Sequence, residues 1–213
     1  MELILQCCSL CGILSLGVAA DGFYAAAFSA YIACLTLDFL RAKDGISMIK
    51  PYKVPVSALI LIYTRDLQVL LLERADKPGF WQSVTGSLEA GETPRDAAIR
   101  EVKEETGLDA LAYDFEDWQA SNVYEIYPHW RYRYAPGVTE NTEHLFGLCL
   151  PSPVPVTLAP DEHLRYSWVD WQVAAKRVFS WTNVDALRRL GARHGLSLPD
   201  VQTDWESVQS AVK

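Results

Sequence analysis

The stretch GSLEAGETPRDAAIREVKEETGL, residues 86–108, decides the reading of this chain. Its second half predicts a helix over 94–106. Thr93 is a good N-cap, Pro94 suits the first helical position, Asp96 falls in the first turn, and Gly107 supplies the stop. Glu101, Glu104 and Glu105 then stand at i, i+3 and i+4 and share one helical face. Like charges so placed repel by roughly half a kcal/mol per pair when solvated, and by more when buried. A solvated acidic face is the ordinary fate of such a run. The functional alternative is a multivalent cation that neutralises it. Carboxylates without a neighbouring His or Cys favour Mg²⁺, with Mn²⁺ as a substitute, over zinc.

Around this segment the pattern is mixed α/β. Residues 54–63 and 69–73 are short aliphatic runs separated by Arg65 and Asp66, which predicts a hairpin. Residues 81–85, 121–127, 145–150 and 164–169 supply further strands, and 184–194 a second helix capped by Thr182 or Asn183. Residues 151–160 hold four prolines and are read as a loop. No internal repeat is evident.

Composition changes near residue 48. Residues 3–20 and 22–37 carry no charge, and each is close to the roughly 18-residue length of a membrane-spanning helix. Two readings stand for residues 1–47: an apolar anchor, or a stretch joined by a misassigned translation start at a point where Met48 would serve instead. We favour the second. Residues 48–195 are read as the main folded domain and 196–213 as a polar tail. Four of the five cysteines lie in the first 34 residues, so no disulfide framework emerges, and reduced thiols in the cytoplasm are expected. A net charge of −8 argues against non-specific binding to nucleic acid or anionic membrane. A membrane partner is expected only if residues 1–47 belong to the native protein.

The frame around the acidic helix weighs against the solvated-face reading. Gly86, Glu92, Arg100-Glu101, Val102, Glu104-Glu105, Gly107 and Leu108 match every specified position of GX5EX7REUXEEXGU, where U is a bulky aliphatic residue. On these residues the chain resembles the Nudix hydrolases. The resemblance implies an α/β/α sandwich with a mixed sheet, the box forming a loop–helix–loop. It implies Glu101 and Glu105 as metal ligands, Glu104 as a helper, and Arg100 as the residue that orients Glu101 by a bidentate pair. Gly86 would let backbone approach the phosphates, and Glu92 would reach the metal or brace the loop.

A narrower resemblance lies in FWQSVTGSLEAGET, RYAPGVTENTEHLF, EHLRYSW and SWTN, which are similar to the bacterial Nudix enzymes that hydrolyse dihydroneopterin triphosphate in folate synthesis. It implies Glu162 as a third metal carboxylate. It also implies substrate contacts at Lys53, Arg74, Thr85, the segment Tyr124, Glu125, Ile126 and Tyr127, and Ser180. Lys53 and Arg74 would bring positive charge to a polyphosphate, and Tyr124 and Tyr127 offer faces for a flat ring. Trp81 and Trp181 are expected in the core. His163 is read as a residue that orients the loop bearing Glu162, with no catalytic role. The expected partner is a small pterin or nucleoside triphosphate. A housecleaning nucleoside triphosphate pyrophosphatase is the rival enzyme reading, and a non-cutting nucleotide sensor a remote one, since sensors lose box carboxylates and all are intact here.

Every residue given a role lies beyond Met48. A chain beginning there should be soluble, folded and fully active, and mass spectrometry of the native protein should yield no peptide from residues 1–40. Such peptides in a membrane fraction would establish the anchor instead.

Overall fold

A computed structural model describes residues 52–199. The charge-free N-terminal stretches and most of the tail lie outside the described residues. The hydrophobic runs read from the sequence become β1 (Val56–Thr64) and β2 (Gln68–Arg74), an antiparallel pair turned at Arg65–Leu67. The expected third strand is broken at Ser83 into β3 (Trp81–Gln82), paired with β2, and β4 (Val84–Ser87), paired with β1. The break lets two neighbours of the hairpin share one short segment. Three longer strands follow: β5 (Asp114–Glu125), β6 (Glu140–Leu150) and β7 (His163–Asp170). One seven-stranded sheet results, ordered β3-β2-β1-β6-β5, with β4 on β1 and β7 on β2. The β1–β6 pairing is parallel and the others are antiparallel, so the sheet is mixed.

Strand β1 explains the layering. Residues 58–62 are at most 1% exposed, so both faces are covered. Ala58, Ile60 and Ile62 pack with Ala98 and Val102 of α1 (Pro94–Thr106). Leu59, Leu61 and Tyr63 point the other way, to a cluster with Trp171, Ala174, Val184, Leu187 and Leu190. These come from α2 (Trp171–Arg177) and α3 (Trp181–Arg193). Alternation along one strand thus builds two cores and an α/β/α sandwich.

Helix α1 starts and stops where the sequence places it. Thr93 accepts from the Asp96 backbone while Asp96 accepts from the Thr93 N–H, closing a capping box, and Gly107 ends the helix at φ 73°. Helix α3 begins three residues earlier than expected. Ser180, not Thr182 or Asn183, is its N-cap, accepting from the Asn183 N–H at 3.2 Å. Asn183 is spent elsewhere: its Oδ1 accepts from the Ser83 backbone at 2.8 Å, tying the helix to the break between β3 and β4. Helix α2 was not legible, being only seven residues long and lacking a full amphipathic repeat. The proline-rich stretch has no regular structure, yet Val154, Val156 and Leu158 cover the α1-side core. Beyond the expected domain end, Leu198 packs on the α2–α3 cluster.

Gly107 holds a left-handed conformation, and a Cβ there would meet Thr157 Cβ at 3.2 Å. Gly107→Ala should lower unfolding free energy by about 1–2 kcal/mol in urea denaturation. Unchanged stability would show that the loop relaxes freely around the helix end.

Candidate active site

The acidic face of α1 does not lie open to water. Side-chain exposure is 11% for Glu101 and 2% for Glu105, against 56% for Glu104. Burial pushes the Glu101 carboxyl up to about 7, against the pull of Arg100 and with Glu105 adding to the rise. Burial likewise holds Glu105 above the usual carboxylate range, opposed by His163 and reinforced by Glu162. The cluster therefore resists full ionisation unless positive charge arrives.

Arg100 organises the loop before the helix. It grips Glu92 with two bonds, 2.8 and 2.9 Å, and gives one each to Glu101 at 2.8 Å and Glu104 at 3.0 Å. A fifth goes to the Ser87 carbonyl at 3.1 Å. The bidentate partner is thus Glu92, which braces the loop, rather than Glu101 as expected. Gly86 has a reason that the sequence did not disclose. A Cβ at Gly86 would sit 1.7 Å from Glu101 Oε1, so the absent side chain is the space in which the carboxylate lies.

Glu162 arrives from the far end of the proline-rich loop and is fixed by its backbone. Its carbonyl accepts from the Ala75 N–H at 2.8 Å, and its own N–H donates to Ala159 at 3.1 Å. The next residue opens β7, where His163 faces Arg74 of β2. His163 Nε2 lies 2.8 Å from Glu105 Oε2, both side chains 2% exposed. Ligand atoms of Glu105, Glu162 and His163 all fall within 4.8 Å of one another. The histidine thus braces a box carboxylate, which nothing in its sequence spacing signalled. A buried carboxylate pair whose ionisation is suppressed, in an oxygen-rich setting, fits a hard divalent cation.

Two adjoining cavities open beside this cluster. The larger, about 390 Å³, is polar and lined by Lys53, Arg74, Thr85, Gly86, Glu105 and Glu162 among others. The smaller, about 110 Å³, is walled by Tyr124, Tyr127, Trp130, Phe179, Ser180 and Trp181. Arg74 stands at their junction. Asp76 grips its guanidinium at 2.8 and 2.7 Å, Gln82 accepts from it at 2.9 Å, and Trp130 and Phe179 flank it at 5.8 Å. Gln82 in turn donates to Thr85 Oγ1 at 3.4 Å. Lys53 Nζ lies 3.4 Å from Ser87 Oγ.

Of the expected substrate contacts, Lys53, Arg74, Thr85, Tyr124, Tyr127 and Ser180 line these cavities. Glu125 and Ile126 do not. Glu125 is exposed and paired with Arg131, while Ile126 is 2% exposed and donates its N–H to Thr139 at 2.7 Å. Trp81 is in the core as expected, whereas Trp181 lines the smaller cavity. Gln82, Trp130, Glu143 and Phe179 were missed. Trp130 sits on a 3-10 turn, Pro128–Arg133, with no periodic pattern to flag it. Glu143 did carry a signal: it shares a buried face of β6 with Asn141 and Leu145, a polar residue at an inward position.

Comparison with known proteins decides the family. The NUDIX domain model matches residues 53–190. The chain belongs to the Nudix family. It is 49% identical over 143 residues to dihydroneopterin triphosphate diphosphatase of Escherichia coli K12, covering 66% of this chain and 94% of that protein. The Haemophilus influenzae enzyme of the same name is 43% identical, covering 65% and 88%. Among solved structures, the E. coli dihydroneopterin triphosphate pyrophosphohydrolase superposes with a TM-score of 0.62 at 48% identity, covering 68% of this chain and 99% of that one. As a Nudix hydrolase this protein cleaves phosphoanhydride bonds with a divalent metal.

Gly86→Ala should displace Glu101 and lower kcat by about 10²-fold, with the fold retained, as judged by steady-state kinetics beside circular dichroism. Wild-type turnover in that variant would show that Glu101 does not need its present position.

Proposed function

We propose that this enzyme hydrolyses 7,8-dihydroneopterin 3′-triphosphate to the monophosphate and pyrophosphate, using Mg²⁺. The observation that carries the reading is the junction of a polar, carboxylate-bearing cavity with a narrow aromatic one. A triphosphate with a flat bicyclic end needs both. The 49% identity to the E. coli enzyme over almost its whole length supports the same substrate.

In this reading Glu101, Glu105 and Glu162 hold the metal. A divalent cation bound there would supply charge neutralisation for the polyphosphate and a water of lowered pKa. His163 keeps Glu105 oriented by its 2.8 Å bond. Arg100 fixes Glu92 and Glu101 and so shapes the loop that faces the phosphates. Lys53 and Arg74 add positive charge in a chain of net charge −8. One of Glu101, Glu104 or Glu162 takes the proton of the attacking water. Tyr124 and Tyr127, with Ser180 at the N-cap of α3, border the ring cavity. We assign the reaction to the cytoplasm, in keeping with a distribution of five cysteines that offers no disulfide framework.

The decisive assay compares kcat/KM for dihydroneopterin triphosphate and dATP, with and without Mg²⁺. The pterin should be preferred by at least about tenfold, and Mg²⁺ should be required. Preference for dATP would favour the housecleaning role. Glu101→Gln and Glu105→Gln should each remove most activity with the fold intact, and Mg²⁺ should raise the melting temperature of these variants much less than that of wild type. Glu162→Ala should lower kcat sharply with a modest effect on substrate binding. Near-normal turnover in any of the three would remove that residue from the metal site.

A further inference from the structure

One buried acid beside the aromatic cavity has no part in this mechanism. Glu143 lies on β6 opposite Ser57 of β1, is 5% exposed, and lines both cavities. The Thr182 hydroxyl is the polar neighbour that favours its charged form. Its Oε2 has no partner in the structure. No Lys or Arg pairs with it among the described salt bridges. Burial pushes this carboxyl up to about 7, as expected for an acid withdrawn from water without a cation. A fold keeps an unpartnered buried oxygen at a cost, and a ligand that satisfies it gives the cost a purpose.

We infer that Glu143 recognises the amino-pyrimidinone edge of the substrate ring. The inference rests on the pterin reading above and adds its specificity determinant. The 2-amino-4-oxo ring presents two donors side by side, the ring N3–H and the exocyclic 2-amino group, in the fork arrangement that a carboxylate accepts with both oxygens. Tyr124, Tyr127, Trp130 and Phe179 enclose the ring faces, and Glu143 meets the edge. Adenine presents an acceptor ring nitrogen beside its amino group, so it cannot satisfy the carboxylate in this way. A site built on a donor pair rejects a ring that lacks the pair more strongly than an apolar slot could.

The test is Glu143→Gln, which keeps the shape and replaces one acceptor by a donor. The ratio of kcat/KM for dihydroneopterin triphosphate to that for dATP should fall by about 30-fold, with the loss carried by KM. Neopterin, titrated by its own fluorescence without metal or phosphate, should bind at least about tenfold more weakly to the variant. Should E143Q fail to fold, Glu143→Asp carries the test, because it keeps the carboxylate and should hold a ratio between the two. An unchanged ratio, unchanged neopterin binding, or an equal loss of kcat on both substrates would overturn the assignment. Wild type preferring dATP would instead overturn the pterin reading beneath it. The wild-type and variant arms therefore separate the two failures.

Discussion

The structure depends on holding two carboxylates of one helix face, Glu101 and Glu105, against the backbone of β4. Glu101 occupies the space that a side chain at Gly86 would need, and Glu105 is buried against His163. Repulsion between them would push this helix face outward were it not offset. Arg100 does part of that, spreading its guanidinium over Glu92, Glu101 and Glu104. In the proposed reading a divalent cation would offset the remainder, so that the residues that repel one another also form the metal site. Position by position, the box motif reads as the solution to this one packing problem.

The sandwich serves that centre by geometry. Because β1 is buried on both faces, α1 can sit on one side while α2 and α3 fill the other. Where β2 meets β7, Arg74 and His163 are brought face to face, and the same register sets Glu162 beside Glu105. A residue 57 positions after Glu105 thus reaches the acidic helix through sheet pairing and a pinned loop end rather than by closure of a mobile segment. Two adjoining cavities share Arg74 and Thr85, and the proposed function places the polyphosphate in one and the ring in the other.

Much of this was legible in the residues, for physical reasons that differ from element to element. Helix α1 announces itself through Thr93, Pro94 and Gly107, all of which act locally. Strand β1 announces itself because a strand buried on both faces must be apolar throughout. The start of α3 was misplaced because Ser180, Thr182 and Asn183 are all competent caps, and the choice was made by a tertiary bond from Ser83 to Asn183. Glu92 and His163 could not be given their partners from sequence, since the Arg100 fork and the Glu105 contact exist only once the loop and β7 are folded. The aromatic cavity was half visible: Tyr124 and Tyr127 follow from resemblance, whereas Trp130 and Phe179 come from irregular segments whose positions pattern does not fix.

The account rests on one division of labour, acids and metal at the phosphates and aromatic walls at the ring. A crystal structure with Mg²⁺ and a non-hydrolysable analogue of dihydroneopterin triphosphate tests it most directly. The account predicts the polyphosphate beside Glu101, Glu105 and Glu162, each within direct or water-bridged reach of the metal, with the ring between Tyr124, Tyr127, Trp130 and Phe179. A ring bound outside that cavity, or a metal held without Glu162, would contradict it.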